Sequence, residues 1–312
     1  MANVAPTARP DRSAIVPGRL PAVPAPRRLL GKLSLTWLPV APFFLYVTIF
    51  MLLPSLSIVQ GAFSKSTGSG YTLDHVRTLF DPQYRDAFWT SIKLSVATAL
   101  TGGIFGLFVA YAAVKEGAPR WIRSALITFS GVAANFAGVP LAFAFIATIG
   151  TTGVITSFLS SYGIDIYSNG FTLYSFTGLT IVYTYFQLPL MILIISPSID
   201  GLRSQWREAA ENLGANTFQY WRMVGLPILW PSLLSAMVLL FGSAFSAYAT
   251  AYALIGSGSV NLVPIIIGAV MSGNITIDPN LGDALALGMI VIIGFTVAIY
   301  ALLQRRASRW LR

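Results

Sequence analysis

Charged residues make up only 10% of this 312-residue chain, yet one stretch gathers several of them together. It reads Arg207-Glu208-Ala209-Ala210-Glu211-Asn212-Leu213-Gly214 and continues to Val224-Gly225-Leu226-Pro227. The chemistry open to it is recognition rather than bond-making. Small alanines allow a partner surface to approach closely, and the Glu208 carboxylate can accept a charge-assisted hydrogen bond from an arginine on that partner. A second set is polar but uncharged: Asn135, Tyr183, Tyr185, Gln187, Ser243, Ser246, Tyr248, Thr250 and Tyr252, all within apolar surroundings. Such groups either face a cavity or bond back to their own helix. The single histidine, His75, lies in a polar loop and reads as a solvated side chain. The chain has no cysteine, which excludes disulfides and thiolate metal sites. No grouping of nucleophile, base and orienter is visible, so a membrane enzyme is a weak reading.

These residues are held by a membrane chain. Hydrophobic residues reach 55%, and apolar stretches of about 20 residues, enough to cross roughly 30 Å of hydrocarbon as helices, recur six times. The spans run Thr36 to Ile58, Trp89 to Val114, Ala125 to Ile149, Ser175 to Ser198, Leu233 to Ile255 and Ala284 to Leu303. The fold class is therefore all-α, a polytopic bundle of six transmembrane helices.

The net charge of +9 is arranged by side. Basic residues precede the first span (Arg9, Arg12, Arg19, Arg27, Arg28, Lys32). They follow the second (Lys115, Arg120, Arg123), flank the charged stretch (Arg203, Arg207, Arg222) and end the chain (Arg305, Arg306, Arg309, Arg312). By the positive-inside rule both termini and the 207–227 stretch are cytoplasmic, and a nucleic-acid partner is not needed to explain the surplus. Asp74, Asp81, Asp86, Asp165, Asp278 and Asp283 fall on the opposite side. Apart from Lys93 near the outer edge, the spans carry no ionisable side chain, which disfavours a proton- or ion-coupled carrier.

Residues 1–34, rich in Pro, Ala and Arg, read as a disordered cytoplasmic tail without a cleavable signal, the first span acting as an uncleaved anchor. Residues 35–312 form the membrane domain, with a core from about 89 to 312. Between Gly150 and Tyr174 an outer loop with an interfacial turn is expected. Val260 to Met271 is too short to span and reads as a re-entrant or surface helix. Small residues such as Gly102, Gly103 and Gly106, or Gly288 and Gly294, permit close helix approach, with packing inside one bundle as the simplest use.

Within the cytoplasmic loop, 199–232, helical spacing of Trp206, Ala209, Ala210 and Leu213 against Arg207, Glu208, Glu211 and Asn212 predicts a short amphipathic helix over Gln205–Ala215. Gly214 breaks it, a second helix starts near Thr217, Pro227 stops that one, and Pro231 opens the fifth span.

This loop resembles the cytoplasmic signature of the permeases of binding-protein-dependent ATP-binding-cassette importers of the type I fold. That signature reads Glu-Ala-Ala, three residues, Gly, nine residues, Ile or similar, any residue, Leu-Pro. The chain supplies Glu208, Ala209, Ala210, Gly214, Val224, Leu226 and Pro227 in register, with Val for Ile the one departure. The resemblance implies a multi-pass protein of the bacterial inner membrane that couples through these residues to a separate ATPase. No Gly-x-x-x-x-Gly-Lys-Ser/Thr loop occurs here, so ATP and Mg would be used by that partner and no cofactor by this chain. It further implies two ATPase subunits, a second permease, an extracytoplasmic solute-binding protein and surrounding lipid. Ser243 to Gly256 is similar to the corresponding segment of spermidine/putrescine permeases, whose relatives move thiamine, ferric iron or aminophosphonates. That similarity favours a small polar solute such as a polyamine and a heterodimer of permeases, with a homodimer open. The substrate path would draw on Asn135, Tyr183, Gln187, Ser243, Ser246, Tyr248 and Tyr252. The alternative is a stand-alone carrier or channel with an incidental loop.

Overall fold

The structure is a computed structural model that describes residues 40–66, 70–114, 119–168, 170–256, 259–272 and 278–308. The expected tail 1–34, the first-span start at Thr36, Lys115, Asn169, Arg309 and Arg312 lie outside these residues. The described residues are helical, with one isolated bridge between Ser64 and Tyr71 in place of a sheet. Six helices among them are long and apolar enough to cross a membrane: Ala41–Ala62, Pro82–Ala113, Val139–Ser161, Phe176–Asp200, Thr217–Phe245 and Asn280–Leu302.

Residues 40–52 belong to one unit. Its α1 (Ala41–Val47) starts with Pro42 in the first turn, where the missing N–H has no intrahelical partner to lose. A π-helical stretch, Thr48–Leu52, follows, and none of these residues is buried.

The second unit runs from Leu53. It contains α2 (Leu53–Ala62), α3 (Asp74–Thr78), α4 (Pro82–Val114), α5 (Arg120–Asn135), α6 (Val139–Ile149), α7 (Val154–Ser161) and α8 (Phe176–Asp200). Then come α9 (Ser204–Asn212), α10 (Thr217–Tyr220), a π-helical turn (Trp221–Gly225), α11 (Leu226–Phe245), α12 (Ala249–Ile255), α13 (Val263–Met271) and α14 (Pro279–Ser308).

The axis of this unit is α8, capped at its start by Ser175, whose hydroxyl accepts from the Gly178 N–H. Against it lies α4, and the seam is set by glycine. A Cβ on Gly102 would stand 2.5 Å from the Gln187 Cβ, and one on Gly106 would stand 2.6 Å from the Met191 Cβ. The small residues of α4 thus serve packing inside the bundle. Two apolar cores divide α8 between them. Leu179, Val182, Tyr183 and Phe186 pack with Leu141, Ala142, Ala251, Leu254 and Ile265, whereas Met191, Ile192, Ile195 and Ile199 pack with Ala110, Leu229, Leu233 and Leu240. Gln187 and Pro189 fall where the two meet.

The expected spans needed four corrections. The third, drawn as one helix over Ala125–Ile149, is two. The chain breaks after Asn135 and turns at Gly138, whose φ of +77° suits glycine alone. Arg123 near the start of α5 meets Asp200 at the end of α8, while Leu141 and Ala142 of α6 meet the first turns of α8. The pair therefore runs antiparallel along the whole of α8. The turn at Gly150–Gly153 leads into α7, which extends the apolar run and explains why Val139–Ser161 also passes on length and composition.

The fifth span, drawn over Leu233–Ile255, begins earlier and breaks at Ser246–Tyr248. Pro227 does not stop a helix. The helical path continues from Thr217 to Phe245, because the wider π-helical turn Trp221–Gly225 displaces the carbonyl that the proline ring would otherwise strike.

The second span starts at Pro82 rather than Trp89, since Tyr84 and Ala87 are buried against Val263, Leu281 and Leu285. The sixth starts at Pro279, which brings Asp283 into α14 although the spans were expected to hold no acid. The Asp283 carboxylate lies against Gly61, where a Cβ would come within 2.0 Å.

Two connections also differ from expectation. The 260–271 segment is not a surface helix, for Val263, Pro264, Ile265 and Val270 of α13 are buried. His75 is not solvated: only 14% of its side chain is exposed, its Nε2 lies 3.5 Å from Asp278, and Ser66 Oγ is 3.2 Å away. In the 150–174 loop, the Tyr167 hydroxyl donates to the Ile149 carbonyl at 2.6 Å. Burial, and then the nearby Tyr174, raise its pKa above the usual phenol value.

Candidate functional site

The charged stretch folds into a hairpin whose turn has its backbone polar groups paired. From Ser204 to Asn212 the chain is helical, and Gly214 then adopts φ +81°. The Ala215 N–H reaches back to the Ala210 carbonyl at 3.0 Å and the Gly214 N–H to that of Glu211 at 2.9 Å, the paired bonds of a Schellman turn. The second alanine of the signature thus supplies an acceptor that closes the turn. Two residues on, Asn216 and Gln219 exchange hydrogen bonds, each 2.8 Å, in a capping box that starts α10. With these groups satisfied, the hairpin can move as a piece.

Its root is packed. Trp221 meets Tyr111 edge-on, with ring centroids 4.9 Å apart, and covers Gly225, where a Cβ would come within 2.8 Å of the ring. A cleft of about 260 Å³ opens beside it, between Tyr111, Ile199, Leu226 and Leu233. The tip is the reverse. Glu208 and Ala209 are exposed, Ala210 is half-buried, and among the described residues Glu208 has no ion-pair partner. Arg207 instead pairs with Glu211 at 2.9 Å. Leu213 is 89% exposed, Phe218 71% and Met223 70%. Phe218 and Met223 fall within the apolar helix Thr217–Phe245, whereas Leu213 stands at the turn itself, as the C-cap of α9.

At the other end of α8 the two broken helices meet. The Gly138 N–H donates to Thr250 Oγ1 at 2.8 Å, joining the break after α5 to the helix beyond the break after α11. The Tyr183 hydroxyl donates to the Ala247 carbonyl at 2.9 Å, and Gln187 Nε2 donates to the Leu240 carbonyl at 3.0 Å. The breaks at 136–138 and 246–248 border the apolar helices Val139–Ser161 and Thr217–Phe245, and α12 and α8 supply partners there for the Gly138 N–H and the Ala247 carbonyl.

Residues 102–312 match the family of binding-protein-dependent transport system inner membrane components. The chain belongs to that family. It is a type I ATP-binding-cassette importer permease, a multi-pass protein of the inner membrane. This permease is 26% identical over 280 residues to the spermidine/putrescine transport system permease protein PotB of Haemophilus influenzae, covering 84% of this chain and 91% of that one. It is 25% identical over 294 residues to the sulfate transport system permease protein CysW of Synechococcus elongatus, covering 92% and 97%. Among solved structures it shares its fold with a bacterial ABC transporter involved in import of the acidic polysaccharide alginate (TM-score 0.67, 19% identity, 87% and 95% covered). The MetNI methionine ABC transporter in inward-facing form is a more distant likeness (TM-score 0.52, 13% identity, 71% and 94% covered).

Of the path residues read from the sequence, the permease buries Tyr183 and Gln187, Tyr183 bonding Ala247 in the break after α11 and Gln187 bonding the Leu240 carbonyl inside α11. Asn135, Ser246, Tyr248 and Tyr252 are exposed at the ends of the broken helices. Ser243 is half-buried, and Ser246 and Asn135 bond back to Gly242 and Gly131 of their own helices. Tyr248 and Tyr252 stack, centroids 5.3 Å apart, and Tyr248 lies over Gly268 of α13. A groove of about 630 Å³ between α4, α11 and α14 is lined by Val96, Met237, Phe241 and Phe295, surroundings too apolar for a polar solute.

Sequence reasoning grouped Leu213 with Trp206, Ala209 and Ala210 in the amphipathic helix and did not single it out as an exposed side chain. It also missed Trp221 and Gly225, although a Gly directly before Leu-Pro and four residues after a Trp was a signal. Thr250 was named but not its partner Gly138, 112 positions away.

Proposed function

We propose that this permease takes its motion from a separate ATPase through the 204–220 hairpin, at the cytoplasmic end of the bundle, and passes a small polar solute between the broken helices. The observation that carries the reading is the hairpin tip: an exposed Glu208 without an ion-pair partner among the described residues, on a helix that ends in a hydrogen-bonded turn with Leu213 89% exposed. An arginine in an ATPase groove would pair with Glu208, the two alanines would allow close approach, and Leu213 would fill a pocket. ATP and Mg are then the partner's cofactors. Two such ATPases, a second and different permease chain, and an extracytoplasmic binding protein complete the importer.

For the solute, the exposed, stacked Tyr248 and Tyr252 support an organic cation such as a polyamine, since aromatic faces attract cations. Relatives for spermidine/putrescine and for sulfate bracket the choice. Competition uptake in cells lacking the native system tests it: labelled spermidine entering with this permease and its neighbours, undisturbed by sulfate, supports the cation. Sulfate uptake alone would overturn it. Co-purification tests the docking, because Leu213→Glu should release the ATPase while the permease stays inserted.

A further inference from the structure

At the root of the hairpin one ion pair joins two helices distant in sequence. The Arg123 guanidinium of α5 bonds the carboxylate of Asp200, the last residue of α8. Only Leu202 and Arg203, with Gly201, separate Asp200 from the hairpin's first helix. Both charges are placed against their own helix dipoles: a cation in the opening turns of α5, which has no acid there, and an anion at the C-terminus of α8. Each is favourable only for the neighbour's helix. The pair is therefore a link between helices and not a cap.

Its two ends are partly exposed, at 44% and 34% of side-chain area, so its contribution to stability is small. Its position is more telling. One turn beyond Arg123, Leu126 packs into the core that holds Ile195, Ile199, Leu229 and Leu233. The whole of α5, 16 residues without proline, is a strut of about 24 Å. It ends at the break where the Gly138 N–H meets Thr250, beside Tyr248 and Tyr252.

We propose that Arg123 and Asp200 are positioning residues for transport: they clamp the strut to the base of the hairpin, so that hairpin displacement reaches the α5–α6 and α11–α12 breaks. This inference rests on the coupling role proposed above for the hairpin. The same displacement without the clamp would tilt α8 and leave α5 behind.

The test uses the full chain assembled with its ATPase and partner permease. As this permease has no cysteine, Tyr252→Cys gives it a single thiol, whose labelling by a maleimide is followed with and without ATP and vanadate. With Arg123 and Asp200 intact, nucleotide should change the labelling rate. Arg123→Asp and Asp200→Arg should each reduce that change roughly tenfold, the scale of one lost coupling. The double reversal Arg123→Asp with Asp200→Arg should restore it, which also excludes misfolding as the cause. Single variants that respond normally, or a double reversal no better than the singles, would overturn the clamp. A parallel Glu208→Ala arm separates the two ideas. If Glu208→Ala leaves the response intact, the hairpin reading fails. If it abolishes the response while the Arg123 and Asp200 variants do not, the clamp alone fails.

Discussion

In its first half α8 touches helices that are broken yet hydrogen-bonded, and at its last residue it leads to a hairpin whose apolar side chains point away from the chain. Around the breaks, Thr250 and Tyr183 each answer a particular backbone group. At the hairpin turn, Leu213 is left 89% exposed. The difference follows from what surrounds each end. Irregular backbone in hydrocarbon must be satisfied internally, whereas apolar surface in water is retained where a partner covers it. Substitutions at the breaks should thus register as stability, and substitutions at the tip as association.

The largest effect is expected at the α4–α8 seam that serves both ends. Gly106→Leu places a Cβ 2.6 Å from Met191 and 2.7 Å from the Leu188 carbonyl, so the helices must part. Loss of the inserted protein from membranes, seen by immunoblot, checks this. Next, Thr250→Val keeps shape but removes the acceptor of the Gly138 N–H, costing about 1–3 kcal/mol for an orphaned buried donor. A lowered melting temperature in detergent measures it. Gly214→Ala comes third: its Cβ meets no atom within 4 Å, so the cost is the positive φ alone, about 1–2 kcal/mol, and it falls on the hairpin rather than on the bundle. ATPase co-purification should weaken while melting of the bundle changes little. Smallest is Ser246→Ala, whose hydroxyl bonds only to its own helix, with a shift within about 0.5 kcal/mol. If Thr250→Val left bundle melting as little changed as Gly214→Ala does, the contrast between the ends would collapse.

The hairpin was legible because its information is local. Glu208 to Gly214 sets helix, turn and exposure within a few residues, and the glycine conformation follows from its place at a helix end. The fourth span was equally legible, an unbroken apolar run opened by Ser175 and missed by only two residues at its end. The breaks were not. Phe136-Ala-Gly and Ser246-Ala-Tyr are only three residues long and uncharged, so a sum over a long apolar run passes through them, and the bonds that stabilise them join residues 112 and 64 positions apart. His75 failed for the same reason: its partner Asp278 is distant in the chain, and a loop position alone does not predict burial.

In the proposed coupling, ATP-driven motion enters at the hairpin tip. Solute taken up per ATP hydrolysed, measured in proteoliposomes of the assembled importer with Glu208→Ala beside the unaltered chain, tests it directly. The prediction is that hydrolysis persists while uptake per ATP falls roughly tenfold or more, the scale of one lost coupling contact. An unchanged ratio at full uptake would contradict it.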